Sequence, residues 1–600
     1  MDYIIGIDYL LRKGVIVAII STMKFAVRFI LALVISTLLF ISPVRANSTF
    51  TRIIDRTIII DNKEYVTVEE VHTLKWNDAS IIFPADKNIE RFLICPPYEV
   101  TEAELESKIS NIRVVSKNGE RLDFAKSYEK GCYKIDVPYY ADLSSRENLT
   151  FKLSRRDGSY LSSGGGVIEV VHPYFALVNN SNKYNESTVF NITFKVSKKL
   201  GVVSRITPSS KSVKNAGEYT IYSFTQKELV GNFVKITIGN ERTVSFKLET
   251  IVSGTLGESV LSEFMYNEIE IPLPTDNPIS GQRVFFTRIE PFPKRIYTDK
   301  NGNRIAVINF KAAQNTSLII EGFAILKGNK NSIDFKGRNT PFTEIEGMDD
   351  YFMEGKYWQV NESELVEVAK RLKSVDSNPF NTFERTLEFV VDHLTYSKGD
   401  DISTLKRVGA YRAYVQKSGV CMEYSDLLTT LLRINKIPAG VVYGDTVSNF
   451  GGVDKNLYIG HQWVDVWLPT VGWIEVDPTW SSKQNKVIGS DMDHFIWYKD
   501  YGLGTVSSLT CKSLDSANPC NSTLKINVTN VDNPDLNSTF TISDIEDKLA
   551  SRKVSYIETI LNSKFGRVLT QPLVLVMISF ILFYLLILFI GQLFGKVVKL

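Results

Sequence analysis

Three side chains in the second half of the chain have the types and the local sequence expected of a nucleophile, a base and an orienting acid. Cys421 follows Ser418-Gly419-Val420 and precedes an apolar stripe that predicts a helix, so we expect its thiol at a helix N-terminus. Unpaired N–H groups at that end of a helix favour the thiolate and can hold an oxyanion. Because the thiolate is the nucleophilic form, Cys421 is predicted to attack a carbonyl carbon.

His461 and Asp477 come from two segments, 461–467 and 473–477, in which apolar and polar residues alternate as in half-buried strands. The residues between the two segments predict a hairpin turn. Pairing about Pro469 sets His461 opposite Asp477, where cross-strand Cβ atoms are about 4.5–5.5 Å apart. A carboxylate beside an imidazole selects its tautomer and stabilises the imidazolium, as a base for a thiol requires. The pattern predicts a Cys-His-Asp triad.

The elements that must position this triad are predicted from the spacing of apolar residues. A helical spacing indicates core-facing helices over 362–372 and 383–394, and a third from Cys421 to a point before Pro438. Strands are expected again from 440 to 480. Before these helices, β-branched runs separated by Gly, Asn, Asp and Ser clusters are typical of sandwich-like domains.

Four linked motifs over about residues 360–500 resemble the transglutaminase-like superfamily. They are Ser418-Gly419-Val420-Cys421-Met422-Glu423-Tyr424-Ser425, Ile437-Pro438-Ala439-Gly440, Gly460-His461-Gln462-Trp463-Val464-Asp465-Val466 and Gly472-Trp473-Ile474-Glu475-Val476-Asp477-Pro478-Thr479-Trp480. The resemblance implies a papain-like α+β core in which Cys421 is the nucleophile, His461 the base and Asp477 the orienter. The layout of the whole chain looks like that of archaeal membrane-anchored members.

Two departures from the family pattern affect the expected site. Where members commonly have Ala or Ser after the histidine, this chain has Gln462, a bulkier polar residue that is expected to narrow the cleft. The calcium sites of animal-type members have no matching acidic loop here, so neither a metal nor another cofactor is predicted.

Other residues near the motifs are weaker candidates. The oxyanion or cleft candidates are Tyr396, Met422 and Trp463, with core packing as the alternative for Tyr396 and Trp463. His393 and His494 are predicted to be structural. Glu423, Asp465 and Glu475 are predicted to be solvated or structural charges.

Both ends of the chain carry export signals. Basic residues precede an apolar run over 29–41 and small residues reach Ala46, which predicts a signal peptide whose true start is Met1 or Met23. An uncleaved N-terminal anchor is the alternative. Residues 572–594 carry no charge, and about 20 such residues cross a hydrocarbon core of about 30 Å, so a transmembrane helix is predicted there. We expect a single-pass protein of the cell membrane with its catalytic domain extracellular.

Cysteine positions and glycosylation sequons agree with export. Cys95 is expected to pair with Cys132, and Cys511 with Cys520, which leaves Cys421 as the free thiol. Candidate glycosylation sites are Asn47, Asn148, Asn179, Asn185, Asn191, Asn315, Asn361, Asn521, Asn527 and Asn537.

The predicted fold is multi-domain, with β-sandwich-like N-terminal domains, an α+β transglutaminase-like catalytic domain and a C-terminal transmembrane helix. The expected boundaries are 1–46 for the signal peptide or anchor, 47–250 for a β-rich region of two sandwich-like units, 251–340 for another β-rich domain, 341–505 for the catalytic domain, 506–571 for a small β region with a membrane-proximal helix, 572–594 for the transmembrane helix and 595–600 for a cytoplasmic tail.

Charge and chemistry together limit the function. With 69 basic and 67 acidic residues, the chain has a net charge of +2 and lacks the basic stripe of nucleic-acid-binding proteins. The triad predicts acyl transfer through a thioester at peptide or isopeptide amide bonds, with hydrolysis favoured. The alternatives are a protein-cross-linking transglutaminase and a catalytically silent binding module of the envelope. The expected partners are a protein or peptide substrate at the cell surface and the lipid bilayer.

Overall fold

A computed structural model describes the chain over residues 50–76, 88–98, 100–139, 148–174, 186–229, 233–253, 266–312, 314–328, 348–375, 378–397, 406–447, 460–482, 486–489, 492–504, 507–512, 524–551 and 572–597. The predicted signal segment, 1–46, lies outside these residues.

The described strands are β1 Phe50–Ile60, β2 Val66–Trp76, β3 Asn88–Ile94, β4 Ile109–Ser116, β5 Ala125–Glu129, β6 Cys132–Tyr139, β7 Leu149–Asp157, β8 Leu161–Gly164, β9 Val167–Pro173, β10 Glu186–Ser197, β11 Val203–Thr207, β12 Ser212–Ala216, β13 Tyr219–Thr225, β14 Phe233–Ile238, β15 Glu241–Val252, β16 Tyr266–Leu273, β17 Arg283–Glu290, β18 Arg295–Thr298, β19 Arg304–Lys311, β20 Thr316–Lys327, β21 Thr395–Tyr396, β22 Ser418–Gly419, β23 Ala439–Thr446, β24 His461–Leu468, β25 Gly472–Asp477, β26 Val487–Ile488, β27 His494–Asp500, β28 Thr510–Lys512 and β29 Lys525–Asn530. The described α-helices are α1 Glu102–Lys108, α2 Ser363–Leu372, α3 Pro379–His393, α4 Ala410–Gln416, α5 Cys421–Ile434, α6 Ile542–Ser551 and α7 Pro572–Val597.

The first β unit is organised by a seven-stranded sheet with the order β12-β13-β10-β1-β2-β7-β4. One half of its inner face packs on the four-stranded sheet β11-β14-β9-β8, where Ile58 and Val68 share a core with Ile236. The other half packs on the three-stranded sheet β3-β6-β5, through Phe151 and Phe92. Alternating burial along these strands is what a sheet with one apolar face produces.

The second β unit is a sandwich of two four-stranded sheets, β17-β20-β15-β29 and β18-β19-β16-β28. The strands that make up this unit correct two of the predicted domain boundaries. β15 begins at Glu241 and pairs along its length with β20, so the unit begins before residue 251. The predicted separate region 506–571 is also wrong, because β28 and β29 pair with β16 and β15, and Ile545 of α6 lies in the same core. The chain therefore leaves this sandwich to form the predicted catalytic domain and then returns to it.

The domain predicted to be catalytic has an antiparallel five-stranded sheet, β26-β25-β24-β23-β27, with helices on one face. Helix α5 lies against that face, where Val464 and Val476 share a core with Leu427 and Leu431. Helices α2, α3 and α4 cover the other sides of α5. At the edge of the sheet, Phe495 of β27 packs into the core of the second β unit. This arrangement is an α+β core with helices on one face and the second β sandwich packed against its β27 edge.

The helix α7 occupies the region in which a transmembrane helix was predicted. Within the described part of the chain, no helix meets the length and apolarity required of a membrane span. The predicted transmembrane helix over 572–594 is therefore unsupported by the structure and stays a prediction from the sequence.

The cysteines differ in their bonding state. A disulfide joins Cys95 to Cys132, beside the three-stranded sheet of the first β unit. Cys511 is also disulfide-bonded, and its predicted partner Cys520 lies outside the described residues. Cys421 is a free, buried thiol.

The candidate glycosylation sites fall into three groups. The exposed ones are Asn148, Asn315, Asn361, Asn527 and Asn537. Asn191 is half-buried and donates its side-chain amide to Asp55 at 2.8 Å. Outside the described residues lie Asn47, Asn179, Asn185 and Asn521.

A buried ion network joins all three folded units. Arg242, on β15, donates to Glu169 on β9 at 2.7 Å and to Asp493, just before β27, at 3.0 Å. Lys235, on β14, lies 2.8 Å from each of the same two carboxylates. Arg242 also donates to the backbone carbonyl of Val447 at 2.6 Å. Two cations and two anions thus meet where water is excluded, and each depends on the others for compensation.

We expect the variant Arg242→Met to lower the free energy of unfolding by about 3–5 kcal/mol, because it removes a buried cation and leaves Glu169 and Asp493 undercompensated. Denaturant unfolding followed by fluorescence measures the change. The matched control is Lys199→Met, which removes an exposed ion pair with Glu218 and should leave stability nearly unchanged. Equal effects of the two variants would contradict this view of the network.

Candidate active site

Helix α5 begins at Cys421, the first residue after the N-cap Val420. The carboxylate of Glu423 turns back to accept the backbone N–H groups of Val420 at 3.0 Å and Val408 at 3.2 Å. Gly419 is required by space, since a Cβ there would lie 2.4 Å from Cβ of Glu423. The buried Glu423 is therefore structural, and it fixes the turn that delivers the thiol to the start of the helix.

The hairpin that carries His461 and Asp477 has a different register from the predicted one. Val464 pairs with Val476 and Leu468 with Gly472, so the turn is centred on Thr470 and not on Pro469. The shift amounts to two residues between the strands, which leaves every side chain on its predicted face because strand side chains alternate with a period of two. The positive φ of Thr470, 62°, and of Gly472, 83°, accommodates the wider turn.

The carboxylate of Asp477 accepts four hydrogen bonds at the end of β25. Its Oδ1 accepts the backbone N–H groups of Thr479 at 2.8 Å and Trp480 at 3.1 Å. Its Oδ2 lies 2.8 Å from Nε2 of His461 and 3.1 Å from Nε2 of His494. Burial alone would raise the pKa of Asp477, but the two imidazoles hold it well below its usual value.

His461 is bound to Asp477 and interacts electrostatically with Cys421. Its Nε2 contacts the carboxylate, so Nδ1 is the nitrogen available to the thiol. Burial disfavours the imidazolium, but attraction to Asp477 and to Cys421 outweighs burial and raises the pKa of His461 to about 9. The imidazole also stacks on Trp463 and Trp480, with ring centroids 5.8 and 5.5 Å away, and aromatic faces favour a cation.

Tyr396 and Met422, two of the weaker candidates for an oxyanion or cleft role, lie in different environments. Tyr396 forms a short strand beside Gly419, is 48% exposed, and has a pKa raised by burial and by electrostatic interaction with Cys421 and Asp477. It therefore lies at the mouth of the site. Met422 is half-buried, and its backbone carbonyl accepts a long bond of 3.4 Å from Gln462.

Gln462 turns away from the cleft, whereas Trp463 lies on the same face of β24 as His461 and packs on its imidazole. Trp463 is buried with Val442 and Ile496, and its indole N–H has no hydrogen-bond partner among the described residues. Gln462 is buried on the helix side of β24, where its amide lies 3.3 Å from Asp426. The expectation that Gln462 narrows the cleft is wrong, because an even-numbered position on this strand faces α5.

Two residues that the sequence did not assign to the site lie close to the triad. His494 was predicted to be structural, yet it shares Oδ2 of Asp477 with His461. Asp445 follows Gly444, the partner of His461 across β23 and β24, and burial raises its pKa to about 6 while His461 opposes that shift. Neither residue belongs to a motif, so both are recognised only because they lie close to His461 and Asp477 in the folded chain.

The other predicted structural residues are structural in the fold as well. His393 stacks between Phe389 and Tyr414 and bonds the Tyr414 carbonyl at 2.7 Å. Asp465 is buried and accepts bonds from Lys499 and Tyr501 at 2.6 and 2.7 Å. These contacts lie in the domain core.

One group of side chains has the spacing of metal ligands. The ligand atoms of His461, Asp477 and His494 lie within 4.8 Å of one another, and two imidazoles with one carboxylate suit several divalent metals. The same atoms are hydrogen-bonded to each other, as a base and its orienter require. The arrangement supports proton transfer without further groups.

Residues 366–478 match the Transglutaminase-like superfamily, so this part of the chain is a transglutaminase-like domain. The protein-glutamine gamma-glutamyltransferase of Pseudomonas aeruginosa (strain ATCC 15692) is 32% identical over 75 residues, which are 12% of this chain and 11% of that protein. The chain thus aligns with about a tenth of the length of the curated relative it matches.

Two solved structures are also similar to this chain. A proposed cysteine protease from Cytophaga hutchinsonii has a TM-score of 0.35 and 13% identity, over 49% of this chain and 93% of that one. A proposed protease from Parabacteroides distasonis has a TM-score of 0.17 and 8% identity, over 74% of this chain and 68% of that one.

The raised pKa of His461 predicts an imidazolium that persists to about pH 9. Its folded pKa lies above the ordinary histidine value of 6.5, so the stabilisation is complete below pH 6.5 and is lost as pH rises through about 9. The chain has 5 histidines, so ¹³C-labelled histidine resonances can be assigned with His461→Gln. In Asp477→Asn the midpoint for His461 should fall. An unchanged midpoint would contradict the ion pair.

Proposed function

We propose that this chain is a cysteine-dependent acyl-transfer enzyme that acts on peptide or isopeptide amide bonds, chiefly as a peptidase or amidase. The observation that carries the proposal is the hydrogen bond between His461 and Asp477, with Cys421 near enough to the imidazole to interact with it, inside a transglutaminase-like domain. A nucleophile, a base in contact with it and an orienting acid are the parts that acyl transfer needs.

The proposed reaction has two halves. In the first, the Cys421 sulfur attacks the amide carbonyl carbon, and His461 donates its proton to the nitrogen as the C–N bond breaks, leaving a thioester. In the second, His461 takes a proton from water, whose oxygen attacks the thioester carbon and releases a carboxylic acid and the Cys421 sulfur. The N–H groups at the start of α5 can stabilise the oxyanion in both halves.

The surroundings of the triad support a peptide substrate. Trp480 is 38% exposed and Tyr396 is 48% exposed, so two aromatic side chains reach the surface beside a thiol that is itself 7% exposed. Exposed rings of this kind give contact area to an extended chain at low entropic cost. An open mouth also admits water, the acceptor in hydrolysis.

Transfer of the acyl group to an amine is the second candidate. The likeness to a protein-glutamine gamma-glutamyltransferase over 75 residues supports it. Asp445 supports it as well, since a carboxylate with a pKa of about 6 is largely ionised at neutral pH and would attract a lysine ammonium near His461. A catalytically silent binding module is the third possibility, and the intact triad disfavours it.

We further propose that the protein is exported and held at the cell membrane, with the catalytic domain outside. A disulfide between Cys95 and Cys132 supports an oxidising compartment. The uncharged segment 572–594 and the exposed sequons support anchoring and export. The archaeal likeness of this layout is a further proposal from the sequence.

Incubation of the purified full-length chain with a glutamine- and lysine-containing peptide library, with and without an added primary amine, tests the proposed activity. Mass analysis should find hydrolysed peptides in the wild type, with amine adducts a minor product. The matched controls are Cys421→Ala, which should abolish both, and the wild type alkylated at its free thiol. If amine adducts dominate, the transglutaminase alternative replaces hydrolysis. If the wild type and Cys421→Ala leave the library equally unchanged, the enzyme proposal is wrong.

Anchoring is tested by extraction of isolated membranes with alkaline carbonate. The full chain should stay in the pellet, whereas a chain that ends at residue 571 should move to the supernatant, because it lacks the uncharged segment. Release of the full chain by carbonate would contradict membrane anchoring.

A further inference from the structure

His494 is the second imidazole on the carboxylate of the triad. Its Nε2 lies 3.1 Å from Oδ2 of Asp477, the oxygen that also contacts His461 at 2.8 Å. Backbone N–H groups of Thr479 and Trp480 occupy the other oxygen. The carboxylate thus accepts four hydrogen bonds, and one of the donors is a residue that the Cys-His-Asp pattern does not include.

The fold holds His494 in place from several directions. It is buried at the start of β27, where it pairs with Thr446 of β23. Its ring lies 4.8 Å from that of Trp463 and 4.9 Å from that of Trp480, the two indoles that stack on His461. A side chain confined by packing on both faces can present its N–H in only one direction.

The residue before His494 is fixed as firmly. The Asp493 carboxylate receives Arg242 at 3.0 Å and Lys235 at 2.8 Å, and its backbone carbonyl accepts the N–H of Val447 at 2.8 Å. Cations from both β units therefore anchor the backbone segment that leads into His494. This ties the geometry of the imidazole to the docking of the β units.

We propose that His494 is a positioning residue that donates its Nε2–H to Asp477 and holds that carboxylate in the orientation that grips His461. A carboxylate bound by backbone N–H groups at one oxygen can still rotate or shift when the other oxygen has a single, mobile partner. The hydrogen bond from His494 restricts this motion of the Asp477 carboxylate, so the imidazole of His461 stays directed at Cys421. The role rests on the proposed acyl transfer, in which His461 must meet the thiol.

Three variants separate the donor from the shape of the side chain. His494→Phe keeps an aromatic ring but removes the donor, and His494→Gln keeps an N–H donor. The matched control is His393→Phe, because His393 is also stacked between aromatic rings of the catalytic domain but lies away from the triad. Circular dichroism and thermal unfolding of each full-length variant check that the fold is kept.

We expect His494→Phe to lower kcat for the peptide by about 10–100-fold with little change in KM, because a hydrogen bond to a charged group is lost behind the reacting atoms. His494→Gln should restore most of that loss, and His393→Phe should have no effect. In the Asp477→Asn background, His494→Phe should cost far less than in the wild type, since the two residues act through one contact. Equal losses in the Phe and Gln variants, or full additivity with Asp477→Asn, would overturn the proposal.

A second readout does not depend on turnover. The rate at which iodoacetamide alkylates Cys421 at pH 7 reports on the thiolate beside His461. His494→Phe should slow alkylation about tenfold, and His494→Gln and His393→Phe should not. If the wild type shows no amide turnover but this pattern holds, the proposed function fails and the positioning role stands. If alkylation is the same in all variants, the positioning role fails. If His494→Phe does not fold, the His494→Gln rates decide the matter, because a loss there as large as in Asp477→Asn would contradict the role of the donor.

Discussion

The ionised carboxylate of Asp477 is the constraint on which the site depends. A buried negative charge is costly unless donors surround it, and here four donors do so from three separate pieces of chain. Those donors require β24 beside β25, a tight turn after Asp477, and β27 at the far side of β23. The same charge keeps His461 protonated. One arrangement therefore both compensates the buried carboxylate and holds a proton on the imidazole for the reaction.

The catalytic sheet is also a structural partner of the β units. Its edge strand β27 packs into the core of the second β sandwich through Phe495. The ion network around Arg242 then joins that sandwich and the first β unit to Asp493. Because β28 and β29 return to the sandwich after the catalytic domain, both ends of that domain are joined to the same β sandwich. The β units therefore help to hold the residues of the site in position.

The sequence could predict the triad because its residues sit in local patterns. Alternation placed His461 and Asp477 on one face, and a helix stripe placed Cys421 at its start. The register was missed by two residues because a turn with a positive φ at Thr470 cannot be located from alternation alone. The role of His494 and the return of β28 and β29 were missed for a different reason. Both depend on contacts between residues far apart in the chain, and no local pattern encodes them.

Intact-mass measurement is the most direct test of whether Cys421 forms a thioester with its substrate. The full-length chain is mixed with a glutamine-containing peptide or its activated ester and quenched with acid within the first turnover. We expect the protein to gain the mass of the acyl group, hydroxylamine to remove it, and peptide mapping to locate it on Cys421. An acyl group on another residue, or product formation with an equal adduct in Cys421→Ala, would contradict the proposed thioester.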